Sequence, residues 1–250
     1  MRWLIMGKKY AIPPIVEAVC EFRLTPETRW DLTVPGLLYE RLKGSFPQKE
    51  QRMIQEVELM QGPEGLQQHI RTSERLLLFT EDRKMLVQVG PRLLTVNALR
   101  PYPHWEGFKP RIEIAWKSLQ DAIEVRGLER IGLRYINHIE LPGRSVGLAE
   151  YFEFYPFVGQ RLPQQMVSFL AGVEFSYADD RDHCRVQFTP IPGSGGKSLF
   201  MLDIDYFLAR PRAVEVADAL AWVEEAHNRV EEVFEGCITD KLREMFEEVK

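Results

Sequence analysis

Cysteine is scarce in this chain, with three residues, Cys20, Cys184 and Cys237, among 250. The number is odd and the spacing is not that of a metal site, so buried free thiols are expected rather than bridges or ligands. Long apolar runs are absent too. No stretch approaches the roughly 20 residues that cross a bilayer. The opening Met1–Met6 run is too short for a signal peptide and is soon followed by Lys8 and Lys9. No membrane partner and a cytoplasmic location are therefore expected. An excess of basic charge is also missing, since 32 Lys and Arg stand against 37 Asp and Glu, for a net charge of −5.

Recognisable catalytic spacing is absent as well. Pro192–Ser198 ends like a phosphate-binding loop, but Ile191 stands where the first glycine is required and a strand pattern follows where a helix is needed. A hairpin loop is the reading that fits. Asp179–Cys184 offers carboxylates, an imidazole and a thiol, yet neighbouring side chains on an extended segment point apart, so an Asp-rich turn is expected. No Ser or Cys stands in a nucleophile-elbow context. No catalytic, cofactor-binding or metal-binding residue is assigned, and no cofactor is implied.

What is present is a pattern that runs twice. Val16–Leu24 alternates with Val16, Ala18, Cys20, Phe22 and Leu24 on one face, and Leu133–Leu141 does the same with Leu133, Tyr135, Asn137, Ile139 and Leu141. Each strand leads to a short helix, over Leu37–Pro47 and Leu148–Pro156. Three strands follow in each half: Arg52–Gln61, Arg75–Gly90 and Leu93–Leu99, then Met166–Tyr177, Cys184–Ile191 and Leu199–Leu208. Each half closes on its longest helix. In the first, the helical spacing of Trp105, Phe108, Ile112, Ala115 and Leu119 is interrupted by Pro110, which places the regular start near that proline. In the second, Val216, Leu220, Val223, His227, Val230 and Phe234 form an amphipathic stripe. The pattern predicts an α+β fold of tandem pseudo-symmetric β-α-β-β-β-α units, residues 1–126 and 127–250, with antiparallel sheets, helices packed on one face and the halves joined in one body.

Three residues are candidates for chemistry. Asp203 and Asp205 share one strand face about 7 Å apart, a spacing suited to acid–base work or to a solvated outer face. His227 interrupts the apolar stripe of the last helix, which suits either a hydrogen-bonded core residue or a titrating group. An enzymatic reading requires all three to converge on one cleft. Aromatic residues near element ends, Trp30, Tyr102, Trp105 and Tyr155, are candidate contact residues.

The segments Tyr10–Arg23, Arg130–Ile139 and the terminal Ala226-His227, Phe234 and Ile238-Thr239 resemble the TIGR04255 family of sporadically distributed prokaryotic proteins over essentially the whole chain. The resemblance carries over no site residues. Its patchy distribution implies an accessory role of the defence or toxin-related kind. The residues themselves point first to a non-enzymatic interaction or regulatory module, with a protein partner or self-association expected. The alternative is a small-ligand binder with a cavity between sheet and helices. Nucleic-acid contact is not favoured, because sheet-facing charges such as Glu17, Glu21, Arg23, Arg134 and Glu140 are mixed in sign. Arg71, Arg75, Arg83, Lys84, Arg92 and Arg100 leave room for a modest basic patch.

Overall fold

Strand alternation sets the centre of the molecule. In β1 (Ile15–Leu24), Ala18, Cys20, Phe22 and Leu24 are buried on one face; in β6 (Leu128–Leu141), Ile131, Leu133, Tyr135, Asn137, Ile139 and Leu141 are buried on the matching face. The strands pair antiparallel, with Ala18 opposite Tyr135 and Phe22 opposite Ile131, so the two rows merge into one apolar stripe. The computed structural model describes residues 8–62, 65–143, 145–164, 166–193 and 195–249, and the side chains of all of these except 54–73. The N-terminal run Met1–Met6 and the side chain of Arg71 lie outside that description.

On the β1 side lie β2 (Gln48–Gly62), β3 (Gly65–Phe79), β4 (Met85–Gly90) and β5 (Leu93–Leu99); on the β6 side lie β7 (Ala171–Tyr177), β8 (Asp182–Ile191) and β9 (Ser198–Leu208). Together they form one nine-stranded antiparallel sheet in the order β2-β3-β4-β5-β1-β6-β9-β8-β7. The central β1–β6 pair is flanked by β2-β3-β4-β5 on one side and by β9-β8-β7 on the other. The fold is α+β.

Helices α1 (Val34–Leu42), α2 (His104–Ala122), α3 (Ala219–Cys237) and α4 (Asp240–Phe246) complete the described elements. The ring of Phe22 stacks on Trp116 of α2 at 4.4 Å, and Tyr206 of β9 meets Trp222 of α3 at 5.5 Å. Tyr206 lies opposite Leu133 and so belongs to the same sheet face as Phe22. Both long helices therefore cover one face, and their apolar stripes exclude water from it. No helix among the described residues is long and apolar enough to cross a membrane.

Several expectations are corrected. Arg75–Gly90 is two strands rather than one, so four strands, not three, separate α1 from α2. The carboxylate of Asp82 accepts from the Thr80 hydroxyl at 2.7 Å and from the Lys84 N–H at 3.1 Å, and Arg83 takes a positive φ of 58°, which closes a turn. Helix α2 begins at His104, six residues before Pro110. Pro110 is exposed, so the backbone hydrogen bond it forfeits lies on the solvent side. Residues 148–156 contain only a single 3-10 turn, Leu148–Glu150, and the strand expected from Met166 starts at Ala171.

Candidate functional site

The three candidate residues do not converge. Asp203 and Asp205 project from β9 on the face opposite the helices, while His227 hangs from α3 onto the helix-covered face. Each aspartate has its own guanidinium. Arg134 donates to both oxygens of Asp203, at 2.7 and 2.5 Å, and Arg130 donates to both oxygens of Asp205, at 3.0 and 2.8 Å. Arg130 also donates to Glu21 at 2.8 Å, and Arg23 reaches the same carboxylate at 2.7 Å. Gly132 makes this possible, because a Cβ at that position would overlap the folded-back guanidinium of Arg130. Burial raises Asp205 more than Arg130 and Arg134 lower it; at Glu21 burial acts in the same sense but is outweighed by Arg130 and Arg23, so its carboxyl is held low. The outer face is thus a ladder of mutually neutralising pairs, continued by Glu174 with His183 and Arg185 on the far strands.

The Asp-rich segment is a turn, as its composition indicates. Ala178, Asp179 and Asp180 take positive φ, and Asp180 and Glu174 hold His183 at 2.8 and 2.6 Å. Its last aspartate departs from the surface role. Asp182 is fully buried, accepting from the Trp222 indole at 2.9 Å, the Tyr206 hydroxyl at 3.1 Å and Arg181 at 2.6 Å. It pins α3 to the sheet. No cluster of metal-ligating side chains occurs among the described residues.

Around His227 the structure builds something different. A cavity of about 300 Å³ opens between the segment before β1, the start of α2, β6 and α3. The first of these is strapped to the C-terminal residues: Ala11 and Ile12 donate to the carbonyls of Glu247 and Phe246, and the Tyr10 hydroxyl donates to Glu235 at 2.6 Å. At the cavity the β1–β6 register shifts by a bulge between Ile15 and Glu17, opposite Asn137. Such irregularities re-aim side chains at the edge of a ladder. The first turn of α2 brings Trp105 flat against the His227 ring at 4.1 Å, and its indole N–H donates to Glu224 at 3.2 Å.

A hydrogen-bond chain crosses the site. The hydroxyls of Tyr102 and Tyr135 lie 2.9 Å apart, Tyr135 lies 2.9 Å from Nδ1 of His227, and Nε2 of His227 lies 3.3 Å from Glu231. The chain begins and ends on residues that line the cavity. Burial lowers His227 to about 4. Burial, with the carboxylates of Glu235, Glu106 and Glu224, raises Glu231 to about 7. Between those values the pair holds one proton, on the carboxyl. The hydrogen-bonded part of this chain is Tyr102, Tyr135 and His227, while Glu231 approaches Nε2 as a neighbouring carboxylate without a hydrogen bond.

One further polar group stands out. Asn137 is 1% exposed; its amide donates to the carbonyls of Tyr135 and Leu202, and its side-chain oxygen has no partner among the described residues. A buried acceptor left without a donor costs about 1–3 kcal/mol. His227 alone was marked in the sequence, by its place in an apolar stripe. Tyr102, expected as a surface aromatic, is buried in the chain of hydroxyls. Tyr135, Asn137 and Glu231 carried no signal beyond strand and helix periodicity. Compared with models of known families and with curated proteins, the chain matches none.

Proposed function

We propose that this protein is a small-ligand-binding module whose site is the cavity between β6, α2 and α3. The observation that supports it is the cavity itself: about 300 Å³, walled by Tyr102, Trp105, Tyr135 and Phe234, with a few polar groups placed among them. That composition is the usual one for small-molecule sites. Ligand-observed NMR with a fragment mixture tests the reading. Fragments should bind the natural protein and be displaced when Ile15→Trp fills the space; binding that survives the filling, at a site elsewhere, overturns it.

A second reading, an interaction surface, has its own support. Phe157, Leu162, Val167 and Leu170 are 90%, 61%, 100% and 70% exposed, and they precede the edge strand β7, where Phe175 is 44% exposed. Exposed apolar side chains in the segment leading to an edge strand favour a protein partner or self-association. Light scattering of the natural chain and of Val167→Asp with Leu170→Asp tests self-association, which the double substitution should abolish. Nucleic acid is the weaker partner, because Arg130, Arg134 and Arg185 are each held by a carboxylate and offer little net charge to phosphates.

A further inference from the structure

The cavity's donors and acceptors are not balanced, and the imbalance carries information about what it takes. Apart from His104, every lining side chain that carries an N–H or O–H has at least one partner among the described residues. The Trp105 indole is held by Glu224, the Asn137 amide by two backbone carbonyls, and the Tyr10 hydroxyl by Glu235. Lys8 and Lys9 are each tied to a carboxylate, of Glu248 and Glu106. Glu235 is fully engaged as well, by Tyr10 and by Arg243 at 2.7 Å. His104 is the one lining side chain whose ring nitrogens are in no hydrogen bond among the described residues.

One acceptor is not engaged in this way. Among the described residues Glu231 meets only His227, through one oxygen at 3.3 Å and without a hydrogen bond, and its side chain is 33% exposed in the cavity wall. A carboxylate with unsatisfied acceptor capacity is thus set among aromatic walls. A neutral apolar ligand would leave it unpaired, and an anion would oppose it directly.

The geometry points to a small organic cation, an amine or amidine on a compact apolar body, with its N–H donors on Glu231 and its carbon surface against Tyr102 and Phe234. This rests on the ligand-binding reading of the cavity. A carboxylate supplies the charge, and aromatic faces attract a cation through their quadrupoles. The volume admits roughly ten to fifteen non-hydrogen atoms, at about 20–30 Å³ each.

Three probes on one scaffold test it by calorimetry at about pH 8, where Glu231 is ionised: phenethylamine, 2-phenylethanol and phenylacetate. Phenethylamine should bind at least about tenfold more tightly than the other two, and Glu231→Gln should erase that preference. A circular-dichroism melt of Glu231→Gln confirms that the variant is folded. Equal binding of all three probes, or a preference for the amine that survives Glu231→Gln, overturns the assignment to cations while leaving a ligand cavity in place. Binding of none of the three overturns both readings.

Discussion

The carboxylates of the outer sheet face and Glu231 in the cavity wall are treated in opposite ways. On the outer face, Glu21, Asp203 and Asp205 each meet a guanidinium within 2.8 Å. On the helix-covered face, Glu231 meets a neutral imidazole at 3.3 Å and three further carboxylates that raise it. The outer arrangement is self-contained and holds strands together. The inner one is left incomplete by the side chains of the described residues, which suits a site better than a strut. A half-buried carboxylate without a cation is unfavourable when ionised, and a cationic ligand would relieve it.

The comparison breaks most visibly if the ladder on the outer face is opened. Arg130→Met should leave Asp205 without its bidentate partner and Glu21 with Arg23 alone, at a cost of about 3 kcal/mol in urea unfolding. A cost below about 1 kcal/mol would show that the pairs are solvated surface contacts. On the inner face the second-largest effect is an acid one. The folded value of His227 lies near 4, below its ordinary 6.5. The unfolded chain therefore binds a proton between those values that the fold refuses, and stability falls as pH drops through that window. The loss is on the order of 3 kcal/mol and should shrink in His227→Gln, measured by chemical denaturation at matched pH.

Glu231 sharpens the contrast in the opposite sense. Its folded value, about 7, lies above its ordinary 4.5, so the fold keeps a proton that the unfolded chain has released. Stability from this group is present below about 4.5 and declines as pH rises through 7. Glu231→Gln should therefore raise stability above pH 7, by on the order of 1–2 kcal/mol after allowance for a carboxyl that is a third exposed, and leave it unchanged near pH 4. The same variant should lose cation binding, so that one substitution separates stability from site. The smallest effect belongs to the exposed pair of Lys197 and Glu140, each about half exposed. Lys197→Ala should change the melting temperature by no more than about 1–2 °C, equivalent to at most about 0.5 kcal/mol.

Much of the scaffold was legible because periodicity is a local property. The alternation of β1 and β6, the stripe of α3 and the apolar row of β9 are written in consecutive residues. The misjudged turn at Thr80–Lys84 shows the limit: a polar run between apolar strands reads as an edge until Asp82 is seen bonding its neighbours. The common start of Trp105 and α2 was hidden by Pro110, whose missing hydrogen bond matters only if that side of the helix is buried, and it is exposed. His227 was visible as an interruption in a stripe. Its partners were not, because Tyr135 occupies an ordinary strand position, Tyr102 lies in another segment, and Glu231, one turn along the same helix, reads as one more acidic residue of a helix rich in them. Asp203 and Asp205 were correctly seen to share a face, but the arginines that occupy them come from β6, whose register against β9 is not a local property.

By itself the sequence determined an α+β chain with alternating strands, two long amphipathic helices and a histidine in an apolar stripe. Only the tertiary structure decided that the strands join in one sheet, that Asp203 and Asp205 are neutralised on one face, and that Tyr102, Tyr135, His227 and Glu231 meet on the other. The physical reason is range. Periodicity and turn chemistry act over a few residues, whereas charge pairing and desolvation depend on which groups are brought together from distant parts of the chain.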